Sequence, residues 1–525
     1  MLTGNVRRSR WSWILVASLL GTAPLGAQPA AHDAATLQYR IDLNQRDGDR
    51  FHASLAVDGL TAENAVLQFA STAPGTYQVM DIGRFVDSLR ATDAGGAGIP
   101  VERLGPNQWR ISDPARVREV TWTVADTWDA AVAENPIYPM AGTSIEDDHV
   151  LFNPHAVLPF PAGLQDAPVE LALVVPEGWT IGTALETGPD GDYVAEDYDF
   201  LVDSPILAGN LTVATTEVTG VPIEIYTYSA GGGIRSDQLL GAMDSMLQAA
   251  GEFLGGLPVD RYVFLYHFEG VPRPGAAYGA WEHSYSSEYV FPEVPFSEAF
   301  GQTLKDVAAH EFLHIVTPLN IHSEIIERFD FETPIPSRHL WLYEGVTEWG
   351  AHASQLRGGI KSPQAYFEET ARKIAIDRAQ YDPAYSLEKL ALTSYTPAGQ
   401  AQYGNIYQRG AVVAGLLDIR LLELSDGRRG LQELLLELMD RYGKSRPFQD
   451  DEFYDVLVGM TDPAIAEFFD RYVEGAEPLP IAEYYDKLGI DFIDDPEQPR
   501  FEIRPDPTPQ QARLRAAWLG ERAAA

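Results

Sequence analysis

An apolar stretch with two histidines lies at residues 304–318 and reads Leu304-Lys305-Asp306-Val307-Ala308-Ala309-His310-Glu311-Phe312-Leu313-His314-Ile315-Val316-Thr317-Pro318. Its apolar residues recur at helical spacing, and a proline closes it, so the stretch predicts a buried helix. His310 and His314 would lie one turn apart on the same face of that helix. Two imidazoles in this arrangement can occupy adjacent corners of a zinc tetrahedron, with Glu311 beside the metal and not bound to it.

The motif has two interpretations: a metal site, or a buried pair of histidines that binds no metal. The surrounding apolar residues favour a rigid buried helix, which a metal site requires. The chain contains no cysteine, so a metal could be held only by histidine and carboxylate side chains. Other histidines, among them His352, are expected to be surface or packing residues.

A third metal ligand must come from elsewhere in the chain. The long metzincin pattern needs glycine and histidine where this sequence has Thr317 and Asn320, so that class is excluded. Glu324 and Glu327 would require the chain to fold back almost at once. Glu332 has a conceivable spacing, but it lies in a proline-containing loop that offers no rigid support.

A better carboxylate lies in the apolar segment that reads Leu340-Trp341-Leu342-Tyr343-Glu344-Gly345-Val346-Thr347-Glu348-Trp349. The segment predicts a buried helix that would hold Glu344 rigidly, so Glu344 is the expected third ligand. Glu348, one turn later, can accept the other ring N–H of a ligand histidine and fix its tautomer. An exposed face with two glutamates is the alternative, and the neighbouring tryptophans argue against it.

The composition describes a folded protein of several domains. A chain of 525 residues is too long for one hydrophobic core. The formal net charge of −38 argues against nucleic acid as a partner, because such a surface repels phosphate.

The pattern of apolar residues changes along the chain. Residues 33–215 alternate between apolar and polar character, which predicts an amino-terminal antiparallel β-sandwich-like domain. Helical spacing then becomes prominent in a second domain, residues 216–400, and dominates a helical carboxy-terminal part, residues 401–492. A proline-rich and alanine-rich tail, residues 493–525, is expected to pack loosely. Together these predictions give an α+β multidomain fold.

The first residues resemble an export signal. Residues 1–10 are basic, residues 11–20 are apolar, and small residues follow up to Ala27. We therefore expect cleavage after residues 1–27 and a protein that is exported to the bacterial periplasm or secreted. The alternative is an uncleaved membrane anchor, although the apolar run is shorter than the ~20 residues that span a bilayer. No stable membrane insertion is expected after cleavage.

Three further stretches extend the pattern, and they read Gly279-Ala280-Trp281-Glu282-His283, Tyr407-Gln408-Arg409-Gly410, and Ala73-Pro74-Gly75-Thr76-Tyr77 with Arg84-Phe85-Val86. With the two histidines and the downstream glutamate, the sequence resembles the gluzincin group of zinc peptidases. Within that group it is most similar to the M61 family, the glycyl aminopeptidases. The resemblance runs from about residue 37 to about residue 490. No loop typical of a PDZ domain follows Ile490, so that domain is expected to be missing from this sequence.

The resemblance implies a thermolysin-like catalytic domain with one zinc ion per chain, which hydrolyses peptide substrates. Glu311 would be the general base, and Tyr407 would donate to the developing oxyanion. Glu282 would bind the free α-amino group of the substrate, and Gly279 and Ala280 would contact the substrate backbone on what reads as an edge strand. The family also implies a preference for amino-terminal glycine or alanine.

Two other functions stay open from the sequence. One is a zinc endopeptidase with the same site, in which Glu282 contacts side chains. The other is a non-catalytic peptide-binding protein that keeps the fold, although an intact Glu311 argues against it. The oligomeric state does not follow from the sequence.

Overall fold

The computed structural model describes residues 36–131 and 137–521. The predicted signal peptide, residues 1–27, lies outside the described residues. Within them, no helix has both the length and the apolar character that crossing a bilayer requires.

The amino-terminal part of the described chain consists of short strands arranged in an eight-stranded sheet and two four-stranded sheets. Its elements are β1 (Leu37–Asp42), β2 (Arg50–Ala56), β3 (Val66–Gln68), β4 (Val86–Asp93), β5 (Gly98–Ile99), β6 (Val101–Arg103), β7 (Gln108–Ile111), β8 (Val117–Ala125), β9 (Thr143–Ile145), β10 (His149–Phe152), β11 (Phe160–Pro161), β12 (Val169–Val174), β13 (Thr180–Thr183), β14 (Glu186–Thr187), β15 (Tyr193–Ala195), helix α1 (Tyr198–Val202) and β16 (Ile206–Gly209). The large sheet has the order β14-β15-β12-β1-β2-β8-β4-β5, and the smaller ones β13-β16-β10-β9 and β11-β3-β7-β6.

One strand pair of the amino-terminal domain departs from the predicted antiparallel arrangement. β1 pairs in parallel with β12, beginning with Leu37 opposite Val169, whereas its other neighbour, β2, is antiparallel. Period-two alternation shows which face of a strand is buried, but it does not show which distant strand becomes its partner.

A five-stranded sheet follows, with the order β17-β18-β19-β21-β20. Its strands are β17 (Thr212–Val218), β18 (Val221–Ser229), β19 (Tyr262–Glu269), β20 (Gly279–His283) and β21 (Ser286–Pro292). The sheet begins at Thr212 and so includes residues on both sides of the boundary predicted between 215 and 216. β20 is an edge strand, as its sequence indicated.

Helices cover this sheet and make up most of the remaining chain, which confirms the α+β class. They are α2 (Ser236–Leu254), α3 (Glu298–Leu313), α4 (Glu324–Glu327), α5 (Thr347–Arg357), α6 (Pro363–Gln380), α7 (Leu387–Leu392), α8 (Pro397–Gln400), α9 (Ala411–Leu424), α10 (Leu431–Arg441), α11 (Phe453–Met460), α12 (Ala464–Tyr472) and α13 (Ile481–Asp486), followed by β22 (Ile490–Ile493), β23 (Arg500–Ile503) and α14 (Pro509–Trp518).

The expectation of a loosely packed tail is wrong for the described residues after 492. β22 and β23 form a hairpin, and Trp518 of α14 stacks on Phe367 with ring centroids 5.7 Å apart. Trp518 and Leu514 are buried. The tail has few apolar residues, and their packing partners are far away in the chain, so local composition could not reveal this docking.

Two π-helical turns, Trp341–Val346 and Ile406–Gly410, lead directly into α5 and α9. They cross at a pair of glycines: a Cβ added to Gly345 would lie 2.9 Å from the Cα and carbonyl carbon of Gly410. The close approach of these two backbones brings Glu344 and Tyr407 to the same cavity.

Gly345→Ala should lower the free energy of unfolding by about 1–3 kcal/mol, because the added methyl group meets backbone atoms that cannot move aside. Gly459 of α11 is the matched control, since a Cβ there meets nothing within 4 Å. Gly459→Ala should be neutral or stabilise by up to about 1 kcal/mol. Urea unfolding measures both, and a Gly345→Ala protein as stable as the parent would contradict the close crossing.

Candidate active site

The two histidines of the motif lie at the end of α3. Ser297 caps the start of this helix by accepting a hydrogen bond from the backbone N–H of Phe300 at 3.2 Å. His310 and Glu311 lie in its last turn, and His314 follows as its C-cap. The imidazole centroids of His310 and His314 are 4.8 Å apart, and both residues are buried. The predicted helix and its shared face are confirmed.

Glu344 reaches the same point from its π-helical turn. Its Oε2 lies 3.2 Å from His310 Nε2 and 3.7 Å from His314 Nε2. One donor atom from each of the three residues lies within 4.8 Å of the other two. Glu332, the rival ligand, is exposed and accepts a hydrogen bond from Gln108 instead.

The tautomers of both histidines follow from their partners. His310 Nδ1 donates to Glu348 Oε2 at 2.7 Å, and His314 Nδ1 donates to the carbonyl oxygen of Thr317 at 2.9 Å. Since those oxygens only accept, each ring has a proton on Nδ1, and both Nε2 atoms are directed at Glu344. Two imidazole nitrogens and a carboxylate that converge in this way could hold a metal ion between them. The donor set fits tetrahedral zinc with one position left open.

Burial and hydrogen-bonded or charged partners together set the ionisation of these groups. It lowers the pKa of His314 to about 4, so this ring is neutral near pH 7. It raises the pKa of Glu348, but the charge of Lys373 and the hydrogen bonds from His310 and His352 outweigh it and hold that pKa well below the usual range. Glu348 is therefore an ionised acceptor.

The pKa values of Glu311 and Glu282 are raised, in contrast to that of Glu348. Burial, with repulsion from Glu344 and Glu348, raises the pKa of Glu311 to about 8 despite the opposing charge of His310. Burial and the charges of Glu344 and Glu311 raise the pKa of Glu282 well above its usual range. The cavity therefore holds an excess of buried carboxylates, which favours the binding of cationic groups.

Glu282 projects from the edge strand β20 towards the histidines. Its carboxylate, the carboxylate of Glu311 and a nitrogen of His314 form a second group whose atoms lie within 4.8 Å of one another. Ala280 also lines the cavity. Gly279 lies at the start of the strand, where a Cβ would be 2.9 Å from the Met140 methyl carbon.

A loop of the amino-terminal domain lines the cavity beside Glu282. Trp281 Nε1 donates to the carbonyl oxygen of Pro74 at 3.1 Å. Gly75 has a φ of +76°, and a Cβ there would lie 2.7 Å from Glu282 Oε1. Only glycine combines this backbone conformation with such a close approach to the carboxylate. Sequence reasoning found this loop through the family resemblance but gave it no role in the site.

Tyr407 lies on the other side of the histidines, with its ring centroid 5.4 Å from that of His310. Burial and the nearby charge of Glu344 raise its pKa well above the usual range, so its hydroxyl stays protonated and can donate. Tyr403 also lines the cavity, and its ring centroid is 6.0 Å from that of Tyr407. Tyr403 is not among the residues predicted from the sequence, although its position four residues before Tyr407 was a usable signal.

The cavity has a volume of about 130 Å³ and is lined by residues of the amino-terminal domain and of the chain that follows it. The residues that line it are Gly75, Thr76, Tyr138, Met140, Ala141, Ala280, Trp281, Glu282, His310, Glu311, His314, Glu344, Tyr403 and Tyr407. All residues that the sequence assigned to catalysis or to the metal lie here, and Glu348 lies directly behind His310.

Two family models match the sequence. The model of the peptidase M61 N-terminal domain matches residues 38–210, and the model of the M61 glycyl aminopeptidase matches residues 303–413. Together they cover more than half of the 525 residues. No curated protein matches the sequence significantly.

Solved structures share the fold. An aminopeptidase N family protein from Idiomarina loihiensis matches with a TM-score of 0.76 and 20% identity, over 87% of this chain and 79% of that one. A mutant M1 zinc metallopeptidase from Deinococcus radiodurans, bound to a Tyr-Ser-Ala substrate, matches with a TM-score of 0.51 and 14% identity, over 86% and 96% of the two chains. Native leukotriene A4 hydrolase from Saccharomyces cerevisiae matches with a TM-score of 0.51 and 13% identity, over 87% of this chain and 70% of that one.

Glu344→Ala should remove bound metal from the purified protein, because it deletes one of three converging donors. Glu332→Ala, which changes the rival carboxylate, should leave the metal content unchanged. Elemental analysis of the dialysed proteins distinguishes them. If the Glu344→Ala protein keeps its metal and the Glu332→Ala protein loses it, the third ligand is Glu332 and not Glu344.

Proposed function

Because this chain belongs to the M61 peptidase family, we propose that it is a zinc-dependent aminopeptidase that releases small amino-terminal residues, glycine or alanine, from peptides. Hydrolysis of peptide bonds follows from the family. The geometry of the site supports the metal, the exopeptidase action and the preference for small residues.

The observation that carries the exopeptidase proposal is the short distance between Glu282 and the histidine helix. Oxygens of Glu282 and Glu311 lie within 4.8 Å of each other and of a His314 nitrogen. One extended residue spans about 3.5 Å. If Glu282 binds the α-ammonium group, only one residue fits between that group and a carbonyl carbon held beside Glu311.

The surroundings of Glu282 support the same function. Gly75 and Trp281 line the cavity beside its carboxylate. β20 is an edge strand, so its free backbone groups can pair with an extended peptide.

The residues that would hold the zinc ion are His310, His314 and Glu344. When bound, zinc supplies Lewis-acid catalysis: it polarises the scissile carbonyl and acidifies water. Glu348 and the Thr317 carbonyl keep the two imidazoles in the tautomer that presents Nε2.

The remaining steps belong to side chains of the chain itself. Glu311 accepts a proton from the attacking water and passes it to the leaving amine, and a pKa of about 8 suits a group that does both near neutral pH. Tyr407 donates its hydroxyl proton in a hydrogen bond to the carbonyl oxygen as negative charge develops there. Glu282 pairs with the α-ammonium group throughout.

The preference for glycine or alanine is supported by the size of the cavity. Its volume is about 130 Å³, and Tyr138, Met140 and Tyr403 are among its walls. Large side chains have little space there. Export to the periplasm or the medium remains part of the proposal and rests on the sequence of residues 1–27; detection in a periplasmic or medium fraction tests it.

Glu311→Gln should reduce kcat by about 10²–10⁴-fold, because it removes the group that accepts and returns the proton. Its zinc content should match that of the parent, since Glu311 is not a ligand. Glu298→Gln, an exposed change on the same helix, should leave both quantities unchanged. Turnover close to the parent rate in Glu311→Gln would refute the assignment of the base.

Glu282→Gln should reduce kcat/KM most for substrates with a free α-amino group, by about 100-fold or more, because a buried charge pair is lost. Matched reporter substrates with free and acetylated amino groups provide the measurement. An equal loss on both substrates, or efficient cleavage of acetylated peptides by the parent, would indicate an endopeptidase.

A further inference from the structure

Behind His310, polar side chains from three helices and from the loop between α5 and α6 form a continuous network of hydrogen bonds and ion pairs. Lys373 is only 4% exposed and His352 only 6%, which is unusual for a lysine and demands close partners. The members of the network are Asp306, His310, Glu348, His352, Lys361, Glu369 and Lys373.

Glu348 is the centre of the network. Its Oε2 accepts from His310 Nδ1 at 2.7 Å. Its Oε1 accepts from the ammonium group of Lys373 and from His352 Nε2, the latter at 3.2 Å. Both carboxylate oxygens therefore accept hydrogen bonds. The group cannot rotate without breaking the hydrogen bonds from Lys373 and His352.

The proton of His352 is placed by a second lysine. Lys361 Nζ lies 2.6 Å from His352 Nδ1. An ammonium group only donates, so Nδ1 accepts and the ring proton is on Nε2, facing Glu348. Lys361 also binds Asp306 of α3 at 3.1 Å.

These contacts close a ring. It runs from Asp306 through Lys361, His352 and Glu348 to His310, and so returns to α3 one turn from where it began. α5 is thereby fixed against the helix that carries both histidines. The register of the two helices decides where Glu344 meets the imidazoles.

Lys373 adds α6 to the ring. Its ammonium group contacts Glu348 Oε1 and lies 3.3 Å from Glu369 Oε1. Glu348, His352 and Glu369 could themselves form a cation site, since their donor atoms lie within 4.8 Å of one another. The lysine already supplies the positive charge at that place, so the group serves Glu348 and does not compete with the histidines for a metal.

We propose that Lys373 and His352 are positioning residues for the metal centre, which hold Glu348 in the orientation that fixes the His310 ring and thereby set the affinity of the site for zinc. The inference rests on the proposed function only in placing zinc at His310, His314 and Glu344. The competing explanation is a network that stabilises the fold and has no effect on metal binding.

The test is the zinc affinity of the full chain, measured by competition with a chromophoric chelator. Lys373→Met should weaken zinc binding by about tenfold or more, the usual loss when the support of a ligand histidine is removed. Lys373→Arg should recover part of it. Arg372→Met is the control, because Arg372 belongs to the same helix and contacts only the outer member, Glu369. That variant should stay within about twofold of the parent.

A double-mutant cycle separates positioning from general stabilisation. In a Glu348→Gln background, Lys373→Met should change the zinc affinity by less than about twofold, because the carboxylate through which Lys373 acts on His310 is already absent. His352→Leu removes the other donor to Glu348 Oε1 and offers a second variant if Lys373→Met does not fold; it should also weaken zinc binding. A lowered melting temperature with unchanged zinc affinity in the folded variants would overturn the inference.

Failure of the proposed function gives a different result. If the parent binds no zinc, or if Glu344→Ala binds it as tightly as the parent does, then the metal assignment is wrong. If both of those controls behave as expected and Lys373→Met and His352→Leu bind zinc like the parent, only the positioning role is wrong.

Discussion

The hydrogen bond from His310 Nδ1 to Glu348 Oε2, 2.7 Å long, joins the helix that carries both histidines to the helix that follows Glu344. The site depends on this link, since it sets the tautomer of one imidazole and the distance between α3 and α5. The bond orients the imidazole only if the Glu348 carboxylate is itself fixed. Lys373 and His352 fix it by donating hydrogen bonds to its other oxygen. The crossing of Gly345 with Gly410 then brings Tyr407 to the opposite wall.

Four glutamates near one another have different properties because their surroundings differ. Glu348 accepts from three donors and is ionised, with its pKa held low. Burial raises the pKa of Glu344, but the hydrogen bond from His310 and the electrostatic interactions with the two imidazoles outweigh it and lower that pKa. Glu311 and Glu282 have raised pKa values, because burial and like charges outweigh their few favourable partners. The ionised carboxylates of Glu348 and Glu344 are suited to holding a ligand histidine and to binding a metal. Glu311 and Glu282 are suited to proton transfer and to binding an ammonium group.

Local spacing explains which parts of this structure could be predicted. The helix of His310 and the roles suggested for Glu344 and Glu348 follow from apolar periodicity within short segments. The parallel pairing of β1 with β12 and the docking of Trp518 on Phe367 join distant residues, and local patterns do not encode them. His352 was interpreted as a surface or packing residue, although its place four residues after Glu348 indicated a shared helix face. Lys373 left no local signal, because its partners are on other helices.

The central claim is that one metal ion binds between His310, His314 and Glu344. Anomalous diffraction at the zinc edge, from crystals of the zinc-loaded protein, tests it most directly. The account predicts one peak at about 2.0–2.2 Å from His310 Nε2, His314 Nε2 and a Glu344 oxygen. A peak among Glu348, His352 and Glu369 in its place, or no peak at the histidines, would contradict it.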